Sequence, residues 1–314
     1  MQKYKVMEKQ PKIIFCTGSY TYLAERMLAH GDFQKGEIAT EKFPDGETYH
    51  RILTHVEGRE VILAGGAISD SETLEIFDLA CALVKYGAAS LTLVVPYFGY
   101  STMERAVESG EVVKAKTRAM LFSAIPKASK GNKIMLVDLH TEGLSHYFDG
   151  SITTVHVYCK SIVAETIPEL TKNEVVLAST DAGRAKWVQS LANDMGIPAA
   201  FVFKRRLSGA ETQVTSISAD VKGKDVVIYD DMIRTGGSIV NAAKAYKNAG
   251  AQNIFVITTH GLFTNGGLER IKNCGLVKQV VSTDSHPNAM SIKDDFLKVK
   301  SISELVIKNL DKNF

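Results

Sequence analysis

The stretch Val226–Ser238, VVIYDDMIRTGGS, joins an apolar run, two acids and a glycine-rich turn. The continuous apolar residues before Asp230 predict a strand that is covered on both faces. From Ser238 to Asn248, apolar residues recur at three- to four-residue spacing, which predicts a helix. A buried strand that turns directly into a helix is typical of a parallel α/β sheet.

Short apolar strands alternate with amphipathic helices along the rest of the chain. The predicted strands are Lys12–Cys16, Glu60–Ala64, Leu91–Val95, Lys133–Leu139, Val175–Ser179, Asp225–Tyr229, Ile254–Thr259 and Gln279–Ser282. The predicted helices include Ser71–Tyr86, Ser238–Asn248 and a terminal helix, Ser303–Asn309. This alternation predicts an α/β fold with parallel sheets, because parallel strands need a long crossover connection between them.

Two stretches resemble copies of one unit. Tyr86–Val95 reads YGAASLTLVV and Ala249–Thr258 reads AGAQNIFVIT, and each follows a predicted helix. Gly87 and Gly250 stand where a helix commonly ends with a glycine. A duplication agrees with the length of 314 residues, which exceeds what a single core usually organises.

Composition and charge restrict the function. With 37 Lys and Arg against 35 Asp and Glu, the net charge is only +2, so we expect no nucleic-acid partner. No apolar run approaches the roughly 20 residues of a membrane span, and Met1–Lys12 lacks a signal sequence. The expectation is a cytoplasmic protein of two domains, 1–150 and 151–314, whose terminal helix can pack back on the first.

The acids and the turn after the strand indicate a sugar-phosphate site. The turn consists of Arg234, Thr235, Gly236, Gly237 and Ser238. Backbone N–H groups at a glycine-rich helix start can surround a phosphate, and the carboxylates of Asp230 and Asp231 can accept from adjacent ribose hydroxyls. The alternative is a tight turn with an N-capping serine.

Other polar residues follow predicted strands, where open α/β sheets bind ligands. His140 lies in KIMLVDLHTEGLSHYFDG and Asp181 in ASTDAGRA; a loop histidine and a helix-start acid are the alternatives. Lys204 and Arg206 lie in FVFKRRLSGAE, where cations can stabilise a phosphoryl transfer or simply form a solvated basic turn. The segment FPDGE, Phe43–Glu47, also fits a plain hairpin turn.

Val226–Ser238 resembles the ribose-phosphate signature of type I phosphoribosyltransferases and of ribose-phosphate diphosphokinases. The DLH, KRR and FPDGE segments, in the same order as in the family, favour the diphosphokinases, and the resemblance extends from about Ile13 to Pro287. It implies two tandem phosphoribosyltransferase-like domains, each a mainly parallel sheet flanked by helices. The implied reaction transfers the diphosphoryl group of ATP to the 1-hydroxyl of ribose 5-phosphate, giving PRPP and AMP.

The same resemblance implies a role for each candidate residue. The implied catalytic residues are Lys204 and Arg206, and the implied Mg²⁺ ligands are His140 and Asp181. Ribose 5-phosphate is implied to bind Asp230, Asp231 and Arg234–Ser238. The nucleotide is implied to bind Phe43, Asp45, Gly46, Glu47, Glu104 and Arg105. In the family the FPDGE-like turn often holds the adenine base across a subunit interface. A homo-oligomer with a shared nucleotide site is therefore implied.

Further segments resemble the plant-type class II branch. The Arg-Gln pair that follows PYF in class I is absent from Gly99–Arg105, GYSTMER, and Thr102–Thr117 is similar to a class II segment. His260–Asn265 and Thr283–Pro287 also resemble that class. Class II implies little dependence on free phosphate, weak ADP allostery and tolerance of nucleotide donors besides ATP.

One residue departs from both classes. Arg234 stands where class I has Asp and the plant-type sequences have Gln. A regulatory homologue without catalysis therefore stays open as an alternative to the diphosphokinase. A type I phosphoribosyltransferase, which shares the ribose-phosphate signature, is the other alternative.

Overall fold

The computed structural model describes residues 10–150, 152–208 and 211–310, without the side chains at 182, 203–208 and 211–216. The chain forms two compact units, Met1–Val157 with Ser303–Phe314, and Tyr158–Ile302. The predicted division at 150/151 lies seven residues before this boundary, because the strand Ile152–Val157 still belongs to the first sheet.

The first unit contains eight strands and three helices within its described residues up to and including Val157. They are β1 (Lys12–Cys16), α1 (Thr21–His30), β2 (Phe33–Lys35), β3 (Ile38–Lys42), β4 (Thr48–Ile52), β5 (Glu60–Ala64), α2 (Asp70–Lys85), β6 (Ser90–Val95), α3 (Lys114–Ser123), β7 (Asn132–Val137) and β8 (Ile152–Val157). Short 3₁₀ segments occur at Gly18–Tyr20 and Glu142–Tyr147.

The second unit repeats this alternation. Its elements are α4 (Lys160–Leu170), β9 (Val175–Ser179), a 3₁₀ segment (Ala182–Arg184), α5 (Ala185–Met195), β10 (Ala199–Ala200), β11 (Val202–Ser208), β12 (Glu211–Ile217), β13 (Asp225–Ile233), α6 (Gly237–Asn248), β14 (Ile254–Gly261), α7 (Gly267–Asn273), β15 (Gln279–Thr283), α8 (Pro287–Ser291) and β16 (Leu297–Lys300). The last helix, α9 (Ser303–Leu310), packs against α1 and β8 of the first unit.

The two sheets have the same strand order. The first is β2-β1-β5-β6-β7-β8 and the second is β10-β9-β13-β14-β15-β16, and every pairing within them is parallel. Each unit also carries an antiparallel hairpin, β3–β4 in the first and β11–β12 in the second. The predicted α/β fold of two parallel-sheet domains is confirmed.

The turns after α2 and α6 have the same glycine conformation and the same hydrogen bond, as expected for two copies of one unit. Gly87 and Gly250 have φ of 91° and 94°, a left-handed conformation that glycine adopts readily. Gly58 donates to the Gly87 carbonyl at 2.9 Å, and Gly223 donates to the Gly250 carbonyl at 2.9 Å. The predicted copies are therefore equivalent parts of two similar units.

The position of β13 in the second sheet explains why Val226–Tyr229 are all apolar or aromatic. Val226 and Ile228 pack in the core that contains α6, whereas Val227 and Tyr229 pack in the core that contains α4 and α5. Both faces of the strand are thus covered, and each buried aliphatic side chain contributes roughly 1.5–3 kcal/mol. No helix of the described residues has the length and apolar character that crossing a membrane would require.

Candidate active site

The turn Arg234–Ser238 connects β13 to α6 at the carboxyl end of the second sheet. Helix α6 begins at Gly237, and its N-cap, Gly236, has φ of 74° and makes no side-chain capping bond. Ser238 therefore does not cap the helix, contrary to the alternative interpretation of this turn. A Cβ on Gly237 would meet nothing within 4 Å, so open space lies beside the first turn of backbone N–H groups.

Helix α7 holds this turn in place. A Cβ on Gly236 would lie 2.6 Å from the Gly267 carbonyl oxygen, and one on Gly267 would clash with the Arg234 carbonyl. The Arg270 guanidinium donates to the Thr235 carbonyl at 2.8 Å. The two glycines permit the close approach and the arginine fixes it, so the conformation of the turn is held by α7.

Asp230 and Asp231 lie within β13 rather than after it, because the strand pairs with β14 as far as Ile233. The Thr180 hydroxyl donates to Asp230 Oδ2 at 3.1 Å. Burial raises the pKa of Asp230 well above its ordinary value, and the negative charges of Asp231 and Asp181 raise it further. The structure thus brings three of the predicted acids together in the second unit.

Asp231 is buried and forms an ion pair that sequence reasoning missed. Arg184 Nη2 lies 2.5 Å from Asp231 Oδ2, and the two side chains are 13% and 3% exposed. Arg184 stands at the end of the 3₁₀ segment before α5, 47 positions before its partner. Only the tertiary pairing of β9 with β13 brings the two residues near each other.

Asp181 follows β9 and accepts a hydrogen bond from the Gly183 N–H at 2.9 Å. The 3₁₀ segment separates it from α5, so it is not the first acid of that helix, as the alternative supposed. Its carboxylate suits Mg²⁺, which prefers oxygen ligands. Among the residues that the structure describes, no group of three or more His, Cys, Asp or Glu side chains forms a metal cluster.

His140 follows β7 in the first unit. The strand ends at Val137, two residues earlier than predicted, because the buried Asp138 has φ of 36° and leaves the extended conformation. Left-handed backbone at a non-glycine residue is strained, and such strain is concentrated at functional sites. The Leu139 N–H donates to His156 Nε2 at 3.1 Å, which fixes the turn that carries the half-buried His140.

The loop that contains Glu104 and Arg105 contacts the segment after His140. The Tyr147 hydroxyl donates to the Glu104 carbonyl oxygen at 2.5 Å. Glu104 is 19% exposed and lies 3.6 Å from the guanidinium of Arg105, which is 78% exposed. Two of the segments predicted to bind nucleotide or metal therefore meet within the first unit.

The segment Phe43–Glu47 forms the turn of the β3–β4 hairpin. Phe43 N–H donates to the Glu47 carbonyl at 2.8 Å, Gly46 N–H donates to the Phe43 carbonyl at 3.0 Å, and Asp45 Oδ1 accepts from the Glu47 N–H at 3.0 Å. The plain hairpin turn is confirmed as the local structure. Phe43 is 40% exposed.

Lys204 and Arg206 lie on β11, where the sequence suggested the start of a loop. Their backbone pairs with Val214 and Thr212 of β12, a strand rich in β-branched residues. Their side chains lie outside the described part of the structure, as does the backbone of residues 209 and 210 of the expected loop. Their catalytic role stays a prediction.

Models of one protein family match segments of both units. Residues 12–125 match the family model of the N-terminal domain of ribose phosphate pyrophosphokinase, and residues 192–313 match that of the phosphoribosyl synthetase-associated domain. A ribose-phosphate pyrophosphokinase of Prochlorococcus marinus is 30% identical over 290 residues, covering 90% of this chain and 85% of the relative. This chain belongs to the ribose-phosphate pyrophosphokinase family.

Two further members of the ribose-phosphate pyrophosphokinase family extend the match to nearly the whole chain. The protein of Chromobacterium violaceum is 30% identical over 303 residues, covering 95% of this chain and 90% of its own. The crystal structure of phosphoribosylpyrophosphate synthetase from Mycobacterium smegmatis matches with a TM-score of 0.83 and 25% identity, over 95% of this chain and 97% of that one.

Proposed function

We propose that this protein transfers the β,γ-diphosphoryl group of ATP to the 1-hydroxyl of ribose 5-phosphate. The sugar oxygen attacks the β-phosphorus, the bond from that phosphorus to the α-phosphate oxygen breaks, and AMP leaves. The observation that carries this proposal is the preorganised turn Arg234–Ser238 in a member of the pyrophosphokinase family. Its uncapped N–H groups suit the 5-phosphate, and Asp230 and Asp231 suit the ribose hydroxyls.

His140 and Asp181 are the proposed Mg²⁺-binding residues. The metal would supply charge neutralisation at the transferred phosphates. Lys204 and Arg206 would stabilise negative charge that develops on the transferred group, because a lysine acts as a point charge and an arginine as a bidentate donor. Phe43, Asp45, Gly46 and Glu47, with Glu104 and Arg105, are assigned to ATP, and a homo-oligomer that shares this site is part of the proposal.

The class II assignment is the finer part of the proposal. The two late segments that resemble class II pack on each other in the second unit. The hydroxyls of Thr283 and Ser285 donate to the Thr259 carbonyl at 2.6 and 2.7 Å, and His260 Nδ1 lies 2.8 Å from the Ser285 hydroxyl oxygen. Class II behaviour predicts turnover that is independent of free phosphate.

The deciding experiment measures AMP and PRPP formation from ATP, Mg²⁺ and ribose 5-phosphate, with and without inorganic phosphate. Activity that ignores phosphate supports both the enzyme and its class. Activity that requires phosphate supports the enzyme but contradicts class II. Absence of PRPP under both conditions, with ATP and GTP each tried, would favour the regulatory homologue, for which Arg234 would then be the signature.

Lys204→Ala tests the proposed catalytic cation. If the lysine acts mainly in the transition state, turnover should fall by two or more orders of magnitude while ribose 5-phosphate affinity changes little. Lys244→Ala on the exposed face of α6 removes the same charge away from the turn and should leave turnover unchanged. Normal turnover in Lys204→Ala would remove this residue from the mechanism.

A further inference from the structure

A cluster of charged side chains and one aromatic ring lies at the carboxyl edge of the first sheet. Asp70 starts α2 after β5, Tyr100 follows β6, and Lys114 and Arg118 lie one turn apart on α3. The loops after β5 and β6 run side by side, since Ala67 N–H donates to the Tyr97 carbonyl at 2.9 Å. Ligands of open α/β sheets bind at this edge.

The cluster is held by short contacts. Arg118 Nη2 lies 2.6 Å from Asp70 Oδ1, and the Tyr100 hydroxyl donates to the same oxygen at 2.8 Å. Lys114 Nζ lies 4.4 Å from the centre of the Tyr100 ring, and Arg118 Cζ lies 5.3 Å from it. One ring and one carboxylate therefore hold two cations close together, which leaves a net positive charge.

Two details distinguish this cluster from an ordinary surface ion pair. Arg118 is 22% exposed, and its Nε is buried without a hydrogen-bond partner among the described residues. A buried donor without an acceptor costs about 1–3 kcal/mol. Tyr100 has φ of 60°, a strained conformation for a residue with a side chain, and its ring contacts both cations.

We infer that Arg118 and Lys114 bind the polyphosphate of the nucleotide, and that Asp70 and Tyr100 position them. Two adjacent cations with one counter-charge suit a polyanion, and a guanidinium can donate two parallel hydrogen bonds to a phosphate. This inference rests on the proposed function and gives it phosphate contacts that the sequence motifs did not reveal. Thr102 and Met103, in the same loop, offer no positive charge.

The test measures binding of the ATP analogue AMPPNP with Mg²⁺ by calorimetry, without ribose 5-phosphate so that no acceptor for the diphosphoryl group is present, together with steady-state kinetics. Arg118→Gln should raise the AMPPNP dissociation constant and the KM for ATP at least tenfold, and Lys114→Gln about fivefold. The KM for ribose 5-phosphate should stay within twofold. Lys116→Gln, an exposed neighbour on α3, is the charge-matched control and should change neither constant.

A purely structural cluster would give a different pattern. It would lower the melting temperature of Arg118→Gln while AMPPNP affinity and the KM for ATP stayed within twofold, and this result would overturn the inference. Should Arg118→Gln fail to fold, Arg118→Lys and Lys114→Gln carry the same test. If the unsubstituted protein has no turnover but the variants bind AMPPNP more weakly, the inference is retained and the proposed reaction is rejected. If the unsubstituted protein turns over and the variants have an unchanged KM for ATP, the reaction is retained and the inference is rejected.

Discussion

Asp231 shows how one residue can serve folding and a binding site together. Its carboxylate is removed from water inside the second unit and meets the Arg184 guanidinium at 2.5 Å. Beside it, burial and neighbouring acids raise the pKa of Asp230. The arginine therefore offsets part of the negative charge that collects where a sugar with vicinal hydroxyls is proposed to bind.

Arg184→Gln should destabilise the protein, because it leaves the buried Asp231 without its ion-pair partner. Loss of one member of a buried pair costs about 3 kcal/mol, which urea denaturation followed by circular dichroism would measure. The double variant Arg184→Gln/Asp231→Asn should recover part of the loss. Lys186→Gln, an exposed neighbour, is the matched control. A change below 1 kcal/mol in Arg184→Gln would show that the pair does not stabilise the fold.

At the scale of elements, the turn between β13 and α6 depends on the left-handed conformation of Gly236. Gly236→Ala should lower the free energy of unfolding by about 1–3 kcal/mol, because φ of 74° is strained for alanine and the new methyl meets the Gly267 carbonyl oxygen. Chemical denaturation measures this loss. Gly237→Ala should leave stability nearly unchanged, since its Cβ meets nothing within 4 Å.

The variants Gly236→Ala and Gly237→Ala also test whether the turn Arg234–Ser238 binds a phosphate. If the open space beside Gly237 receives a phosphate, Gly237→Ala should weaken ribose 5-phosphate binding while leaving the fold intact. Equal stability of Gly236→Ala and Gly237→Ala would contradict the role given to α7 in fixing the turn.

Helix α8 begins with a histidine cap that makes it sensitive to acid. His286 Nδ1 accepts from the Asn288 N–H at 3.2 Å, and burial, with a smaller effect of His260, lowers the pKa of His286 to about 4. The unfolded chain takes up this proton near pH 6.5, so the unfolded state binds more protons between pH 6.5 and 4. Stability should be fully present above pH 6.5 and fall as the pH approaches 4.

His286→Asn should reduce that pH dependence, because asparagine caps a helix without titrating in this range. Melting temperatures of both proteins between pH 7 and 4 provide the measurement. Parallel curves for the two proteins would assign the acid sensitivity to other groups.

Regular elements were predictable where the residues themselves set the pattern. Glu60–Ala64 and Val175–Ser179 each contain four consecutive apolar residues, and the structure has strands at the same bounds. The two-residue β10 and the three-residue β2 were missed, since each exists only because a longer strand lies beside it. The Arg184–Asp231 and Arg118–Asp70 pairs join distant positions, so no local spacing could reveal them.

At the scale of the whole molecule, Trp187 offers a probe of the second unit. It is the single tryptophan, and its ring stacks on Tyr229 with centroids 3.9 Å apart. Ribose 5-phosphate at a hundred times its dissociation constant should stabilise the state that binds it by about 2.7 kcal/mol. The fluorescence-detected urea transition should therefore move to higher urea with ribose 5-phosphate but not with ribose. An unmoved transition would place the sugar-phosphate site elsewhere.

The return of α9 to the first unit has a consequence for biosynthesis. The second unit ends at Ile302, whereas α9 (Ser303–Leu310), which follows it in the chain, belongs to the first unit. During translation the second unit is therefore synthesised completely before the first. Until α9 is made, the surfaces of α1 and β8 that it covers stay exposed. Domains usually finish in the order in which they leave the ribosome; here that order is reversed.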